Sequence, residues 1–250
     1  MRFAGAALVA AVLAVVAAMQ IRASATGPSA SRAIAASTSC ENLRSLALPH
    51  ARVDSAETAG RGPGAGRGPA TNMYGDVPAF CRVRATLTPS TDSDIKAEVW
   101  LPASNWNGKY EAVGGGGWAG AISYAAMAAA VRAGYATSST DTGHTGATAD
   151  FSLGHPEKLI DFGYRAVHET TAFAKPVVQA FYAAAPKTSF FNGCSTGGRQ
   201  AITEAQHYPN DFDAIVAGAS AWDGMRLHAL RVAISQRINR NADGDRKSVV

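Results

Sequence analysis

The chain has 250 residues, of which 47% are hydrophobic and 17% charged. That balance suits one large α/β domain or two small ones and excludes a disordered chain. The net charge of +4 comes from 23 Lys and Arg scattered among 19 Asp and Glu; no basic stripe interleaves with aromatics, so no footprint for a nucleic-acid partner is present.

In chain order, residues 1–25 read as a signal peptide. Arg2 supplies the positive start, residues 4–18 an unbroken apolar run, and Ala23-Ser24-Ala25 a small-residue cleavage site. The run is shorter than the roughly 20 residues a membrane span needs. The mature protein is therefore expected to be secreted or periplasmic, with no membrane partner after cleavage. Residues 26–80 are expected to form a leader and a loop-rich segment flanked by Cys40 and Cys81. Residues 26–38 are rich in Ser and Ala, and residues 59–70 (AGRGPGAGRGPA) have too little apolar surface to bury. Disulfides persist outside the cytosol, and three cysteines leave one over. Cys40 and Cys81 flank the irregular segment and are natural partners, at a gain of roughly 4 kcal/mol in the chain-entropy model. Cys194 is then left unpaired.

From Cys81 the pattern sharpens. Residues 82–88 and 95–101 alternate as strands, residues 110–113 read as a third, and short turns between them predict a three-strand antiparallel meander. A glycine loop follows at residues 114–117, then an alanine-rich helix over 123–133 and a strand over 135–140. Residues 157–185 have a long helical pattern, expected to kink or break near Pro176. A short apolar strand at 189–192, a helix at 197–207 and a further buried strand at 212–217 complete the series. Strands alternating with helices imply a parallel sheet. The fold class is α/β, and residues 81–238 match the opening of an α/β-hydrolase core, truncated after the strand that follows the elbow helix. Residues 245–250 fit no element and coincide with the translation of a sequencing adapter. Residues 239–250 are thus expected to be a truncated end with an artefactual tail.

The chemistry centres on Gly193-Cys194-Ser195-Thr196-Gly197, a Gly-x-Ser-x-Gly motif between an apolar strand and a helix. Such a turn pushes the serine hydroxyl above the sheet edge, and glycines two residues to either side avoid backbone clashes. Ser195 is the expected nucleophile, and the Thr196 backbone N–H, at a helix N-terminus, an oxyanion donor. The second donor is expected from Gly114-Gly115-Gly116-Gly117-Trp118, with Gly115 and Gly116 the candidates. The same loop supports a rival. Gly115-x-Gly117-x-x-Gly120 with Asp141 beyond matches a dinucleotide-binding fingerprint and a dinucleotide-binding oxidoreductase, but the preceding antiparallel strands and the unexplained elbow count against it. No cofactor site and no metal ligands are read from this chain.

With those motifs placed, the chain resembles the tannase and feruloyl esterase family. The resemblance rests on NGCSTGGRQ (192–200) and EAQHYPNDFDAIVAGA (204–219), with LPASNWNGKY, GGGGWAG, GYATSSTDTGH and HPEKLIDFGYRAVHE upstream. It implies a serine carboxylic ester hydrolase with a Ser, Asp and His triad on an α/β-hydrolase core. It also implies a lid that carries a structural calcium, and small-molecule phenolic acid esters as substrates. It pairs Cys194 with a cysteine beside the catalytic histidine, which this chain lacks. Only His207 and His228 follow Ser195. His207 is expected roughly 18 Å away along its helix, and His228 and Asp223 come too early in the chain order of the fold. His168 reads as a hydrogen-bonded structural residue; Asp141 and His144 either line the pocket or support it. The expectation is a fragment without its triad acid and base, inactive by itself. The alternative from another class is a non-catalytic secreted binding module on the same core.

Overall fold

The computed structural model describes residues 38–61, 76–118 and 120–238. The expected signal peptide, most of the leader and low-complexity loop, and the expected artefactual tail lie outside the described residues. Seven strands form one sheet: β1 (Ala51–Ala59), β2 (Phe80–Leu87), β3 (Ile95–Pro102), β4 (Lys109–Val113), β5 (Ala136–Thr140), β6 (Thr188–Cys194) and β7 (Ala214–Gly218), in the order β1-β2-β3-β5-β4-β6-β7. The helices are α1 (Tyr124–Arg132), α2 (Pro156–Ile160), α3 (Ala166–Tyr182), α4 (Thr196–His207) and α5 (Gly224–Ile238). None is long and apolar enough to cross a membrane.

The first correction concerns the meander. β2 and β3 pair antiparallel as expected, but β4 is not the next strand: Ala97–Trp100 of β3 pair with β5, and β4 lies parallel between β5 and β6. The segment 103–108 carries the chain across instead of turning it back. Trp106 anchors that crossing by stacking on Tyr182 at 3.9 Å between ring centroids and donating Nε1–H to the Lys109 carbonyl. A second correction is β1, a strand where loop was expected. It pairs antiparallel with β2, and the disulfide between Cys40 and Cys81 ties the turn before it to β2, with the Cα atoms 5.5 Å apart.

Two apolar layers sandwich the sheet. On one face Val83, Val99, Tyr110 and Phe191 pack with Phe173, Val177 and Phe181 of α3. On the other, Phe80, Trp100 and Val113 pack with Met127 and Val131 of α1. β5 is polar (Ala136-Thr137-Ser138-Ser139-Thr140) and wholly buried. Hydroxyl bonds make this tolerable: Ser138 Oγ meets Tyr110 Oη at 2.6 Å, Ser139 Oγ accepts from Ser123 N, and Thr140 Oγ1 donates to Lys96 O.

Two further expectations change. α3 runs through Pro176 unbroken, and the irregularity falls earlier, in a π-helical turn at Asp161–Arg165. Buried Asp161 pairs there with Arg165 at 2.6 Å, and Arg199 of α4 donates to the carbonyls of Phe162 and Gly163. β7, expected buried, is an edge strand among the described residues, as β1 is at the other end. Ile215 packs on the core, but Val216 on the opposite face is 59% exposed.

Candidate active site

Parallel strands place their carboxyl ends on one rim, and ligands bind where the strand order reverses. Here the chain passes from β4 to β5 on one side, then crosses to β6 on the other. The crevice between the ends of β4 and β6 therefore holds Gly114–Gly117 and Ser195.

Ser195 is the single residue between β6 and α4, with φ +59° and ψ −118°. Such a backbone costs about 1–3 kcal/mol for a residue with a side chain and persists only when its surroundings impose it. The imposition is visible. Ser195 N donates to Gly218 O, and Arg199 N donates back to Ser195 O, both at 3.0 Å. A Cβ on Gly193 would collide with the Gly197 carbonyl, and one on Gly198 with the Gly218 carbonyl. Gly197 faces the glycine loop: a Cβ there would lie 3.0 Å from Gly115 O. The glycines of the motif are thus needed because the elbow and loop touch backbone to backbone.

Thr196 opens α4, so its N–H has no acceptor one turn behind it. Its hydroxyl donates to Gly117 O at 3.0 Å. Of the two loop donors expected, Gly115 gives its N–H to Gln200 Oε1 at 3.0 Å. No described acceptor takes the Gly116 N–H. Ser123, at the start of α1, holds the loop's first carbonyl through Oγ to Gly114 O at 2.8 Å. Gln200, Arg199 and the Thr196 hydroxyl escaped the sequence reading. Their signal was helical spacing from the serine, which places residues 196 and 200 on one face of α4.

An aromatic wall stands beside the loop. Trp118 is 39% exposed and stacks on Phe162 at 5.1 Å; Phe162 in turn lies under the Arg199 guanidinium at 4.9 Å. His144 donates Nε2–H to Trp118 O at 2.7 Å and stacks on Phe151 at 3.7 Å. Asp141 Oδ1 accepts the amides of Lys96 and Gly143, each at 2.9 Å. Burial nevertheless pushes its carboxyl up to about 6. Both residues brace the rim. Asp141 is turned onto amides rather than presented to a ribose, and Gly120 packs against His144, where a Cβ would collide with the carbonyl. The dinucleotide pattern is accounted for by loop packing.

No histidine or carboxylate among the described residues hydrogen-bonds the Ser195 hydroxyl. His207 sits at the far end of α4, stacked on Tyr164 at 5.5 Å. His168 Nδ1 pairs with Asp211 at 2.7 Å and its ring stacks on Tyr208; that hydrogen bond raises its pKa. Cys194 is a free, exposed thiol. Among the described residues no cluster of three or more His, Cys, Asp or Glu could hold a metal ion, so the calcium that the resemblance implies finds no ligand set in them.

A family model described as tannase and feruloyl esterase matches residues 81–246. The chain belongs to that family. An uncharacterized esterase of Xanthomonas campestris is 42% identical over 191 residues, covering 75% of this chain and 33% of that protein. A probable feruloyl esterase B-1 of Aspergillus fumigatus is 43% identical over 148 residues, 59% of this chain and 28% of that protein. The crystal structure of feruloyl esterase B from Aspergillus oryzae superposes with a TM-score of 0.72 at 32% identity, covering 82% of this chain and 41% of that one. The chain spans about a third of the length of the curated relatives it matches. The fold of this family member is the α/β-hydrolase fold.

Proposed function

We propose that this chain carries the nucleophile and oxyanion side of an exported serine carboxylic ester hydrolase that acts on small phenolic acid esters. The observation that carries the reading is Ser195 held at φ +59° between β6 and α4, backed by a glycine loop in backbone contact with Gly197. Ser195 Oγ attacks the ester carbonyl as its proton passes to a base. The carbonyl oxygen becomes an oxyanion facing the amides of Thr196 and Gly116. Collapse expels the alcohol, which takes up a proton, and leaves the acyl-serine for water to hydrolyse. The base and its orienting acid lie outside the described residues. The disulfide Cys40–Cys81 supports export, and the relatives' names support the ester class and the feruloyl preference.

Phenylboronic acid tests the reading without needing the base. Serine addition turns trigonal boron tetrahedral, with the proton released to solvent, and mimics the oxyanion intermediate. The expected result is a tetrahedral boron-11 signal that Ser195→Ala abolishes. A chain that never forms this adduct would sink the proposal and favour a binding module, for which the lack of a described partner on the Ser195 hydroxyl is the supporting observation.

A further inference from the structure

We propose that Gln200 is a positioning residue: with the Thr196 hydroxyl it clamps the glycine loop so that the Gly116 amide faces the oxyanion that forms when Ser195 attacks. What the clamp serves rests on the hydrolase reading; the clamp itself is argued from packing and hydrogen bonds.

Steric contact fixes the loop as far as the Gly115 carbonyl, which packs on Gly197, and then stops. A Cβ on Gly114 would lie 2.7 Å from Gly197 Cα, 3.1 Å from Gln200 Oε1 and 3.2 Å from Phe191 Cζ. One residue later a Cβ on Gly115 would meet only Gln200 Nε2, at 4.0 Å, and one on Gly116 would meet nothing within 4 Å. Packing therefore does not set the backbone where the donor must sit, and consecutive glycines supply no rigidity of their own. Two hydrogen bonds do set it. Gly115 N–H donates to Gln200 Oε1 and Thr196 Oγ1 donates to Gly117 O, both at 3.0 Å, one on each side of Gly116.

Both clamp residues come from one face of α4, four positions apart, so they project together. Gln200 is only 3% exposed, which removes competing water from its bond to the loop. The clamp also decides which amide does which work. With the Gly115 N–H consumed, Gly116 is the one of the two candidate amides left for the substrate. The helix that begins at the nucleophile thereby sets the second half of the oxyanion site.

The test uses the full 250-residue chain with Gln200→Met, which keeps length but removes the acceptor, and Gln200→Glu, which restores an acceptor. Two quantities are read: amide exchange at Gly115 by NMR and affinity for phenylboronic acid. In the Met variant, Gly115 exchange is expected to rise about tenfold and boronate affinity to fall about tenfold, the scale of one buried hydrogen bond. The α4 amides should keep their protection, and the Glu variant should restore both quantities. If the Met chain folds poorly, Thr196→Val removes the other half of the clamp and should give the same pattern. Unchanged exchange and unchanged affinity in the Met variant would overturn the proposal, as would failure of the Glu variant to restore them. An exchange response in a chain whose wild type forms no adduct would count against the hydrolase reading while supporting the clamp as a loop brace.

Discussion

β6 and β7 are neighbours in one sheet, paired parallel from Phe190 with Ala214 to Cys194 with Gly218, yet they live in different surroundings. Phe191 on β6 is 1% exposed, buried among Tyr110, Phe212 and α3, whereas Val216 on β7 lies open. Ser195 sits at this boundary. On the β4 side Gly114, Gly115 and Gly117 are held, by backbone contact or by a bond to α4. On the β7 side it has Gly218 O, then Ser220 against Gly198, and beyond them α5, whose Leu230, Val232, Ile234 and Ile238 are exposed. The contrast shows that one side of the candidate site is held by a single helix and a glycine loop. The position of Ser195, the proposed nucleophile, is set within the described residues.

The largest difference should come from a methyl group at positions one register step apart on the two strands. Gly193→Ala drives a Cβ into the Gly197 carbonyl, with Gly197 Cα 2.8 Å away, and neither can yield without moving the elbow. Gly218→Ala on β7 would meet Cys194 Cβ and Sγ at 3.5 Å, an ordinary contact. The first should cost more than about 4 kcal/mol or prevent folding, and the second less than about 1 kcal/mol, by urea unfolding. Equal costs would show that the elbow is not the rigid side.

Next in size is the disulfide, which spans 41 residues on the constrained side of the sheet. Replacing Cys40 and Cys81 by Ala should lower stability by about 4 kcal/mol. Alkylating Cys194, exposed at the boundary, should change stability by less than about 0.5 kcal/mol. Peptide mapping that links Cys194 to either of the others would contradict both expectations.

How much of this was legible follows the same line between local and distant causes. The elbow could be read because its signal is local: a strand, two glycines around a serine, and an amphipathic helix within 20 residues. β2, β3 and α1 were legible for the same reason. The strand order was not, since β3 and β4 are close in sequence but separated by β5, whose serines and threonines do not look like a central strand. β1 was missed because only Ala56 and Ala59 on it are buried, which blurs the alternation. Pro176 was read as a break from its own chemistry, but the continuous packing of Phe173, Val177 and Phe181 holds α3 together. Gln200 was illegible because its partner, Gly115, is 85 positions away.

A pH effect should distinguish the two sides more gently. Glu204 of α4 is 1% exposed, with its carboxyl beside Asp211. Burial, and then the nearby Asp211 charge, push its pKa from 4.5 up to about 8. A raised acid favours the protonated fold. Below about 4.5 the folded and unfolded chains both hold the proton and no penalty arises; as pH rises from there toward 8 the unfolded chain ionises first and stability is lost. Glu204→Gln removes that loss. Its stability relative to the parent should therefore climb by a few kcal/mol between pH 4 and 8. His168, Asp211, Tyr208, Tyr110 and Tyr164 are present in both chains, so only the difference between them is read. A flat difference would mean that Glu204 is ionised in the fold.

The smallest effect on stability should come from the open side, where the consequence is association instead. β7 is one of the two edge strands among the described residues, and an uncovered edge offers unpaired backbone groups to another chain. The apolar side chains of Val216, Trp222 and Leu230 are exposed on or after it, and a soluble monomer rarely shows a large contiguous patch of that kind. Self-association through this edge should be driven by apolar contact and backbone pairing, so it should depend on concentration and persist in high salt. Val216→Lys places a charge on the open face of β7 without touching the core side, where Ile215 packs. Its cost in unfolding should stay within about 0.5 kcal/mol, while the concentration-dependent shift in size-exclusion elution should shrink or vanish. A wild-type chain that elutes as one monomer at every concentration would show that the β7 edge is closed, and the contrast between the two strands would then be one of burial alone.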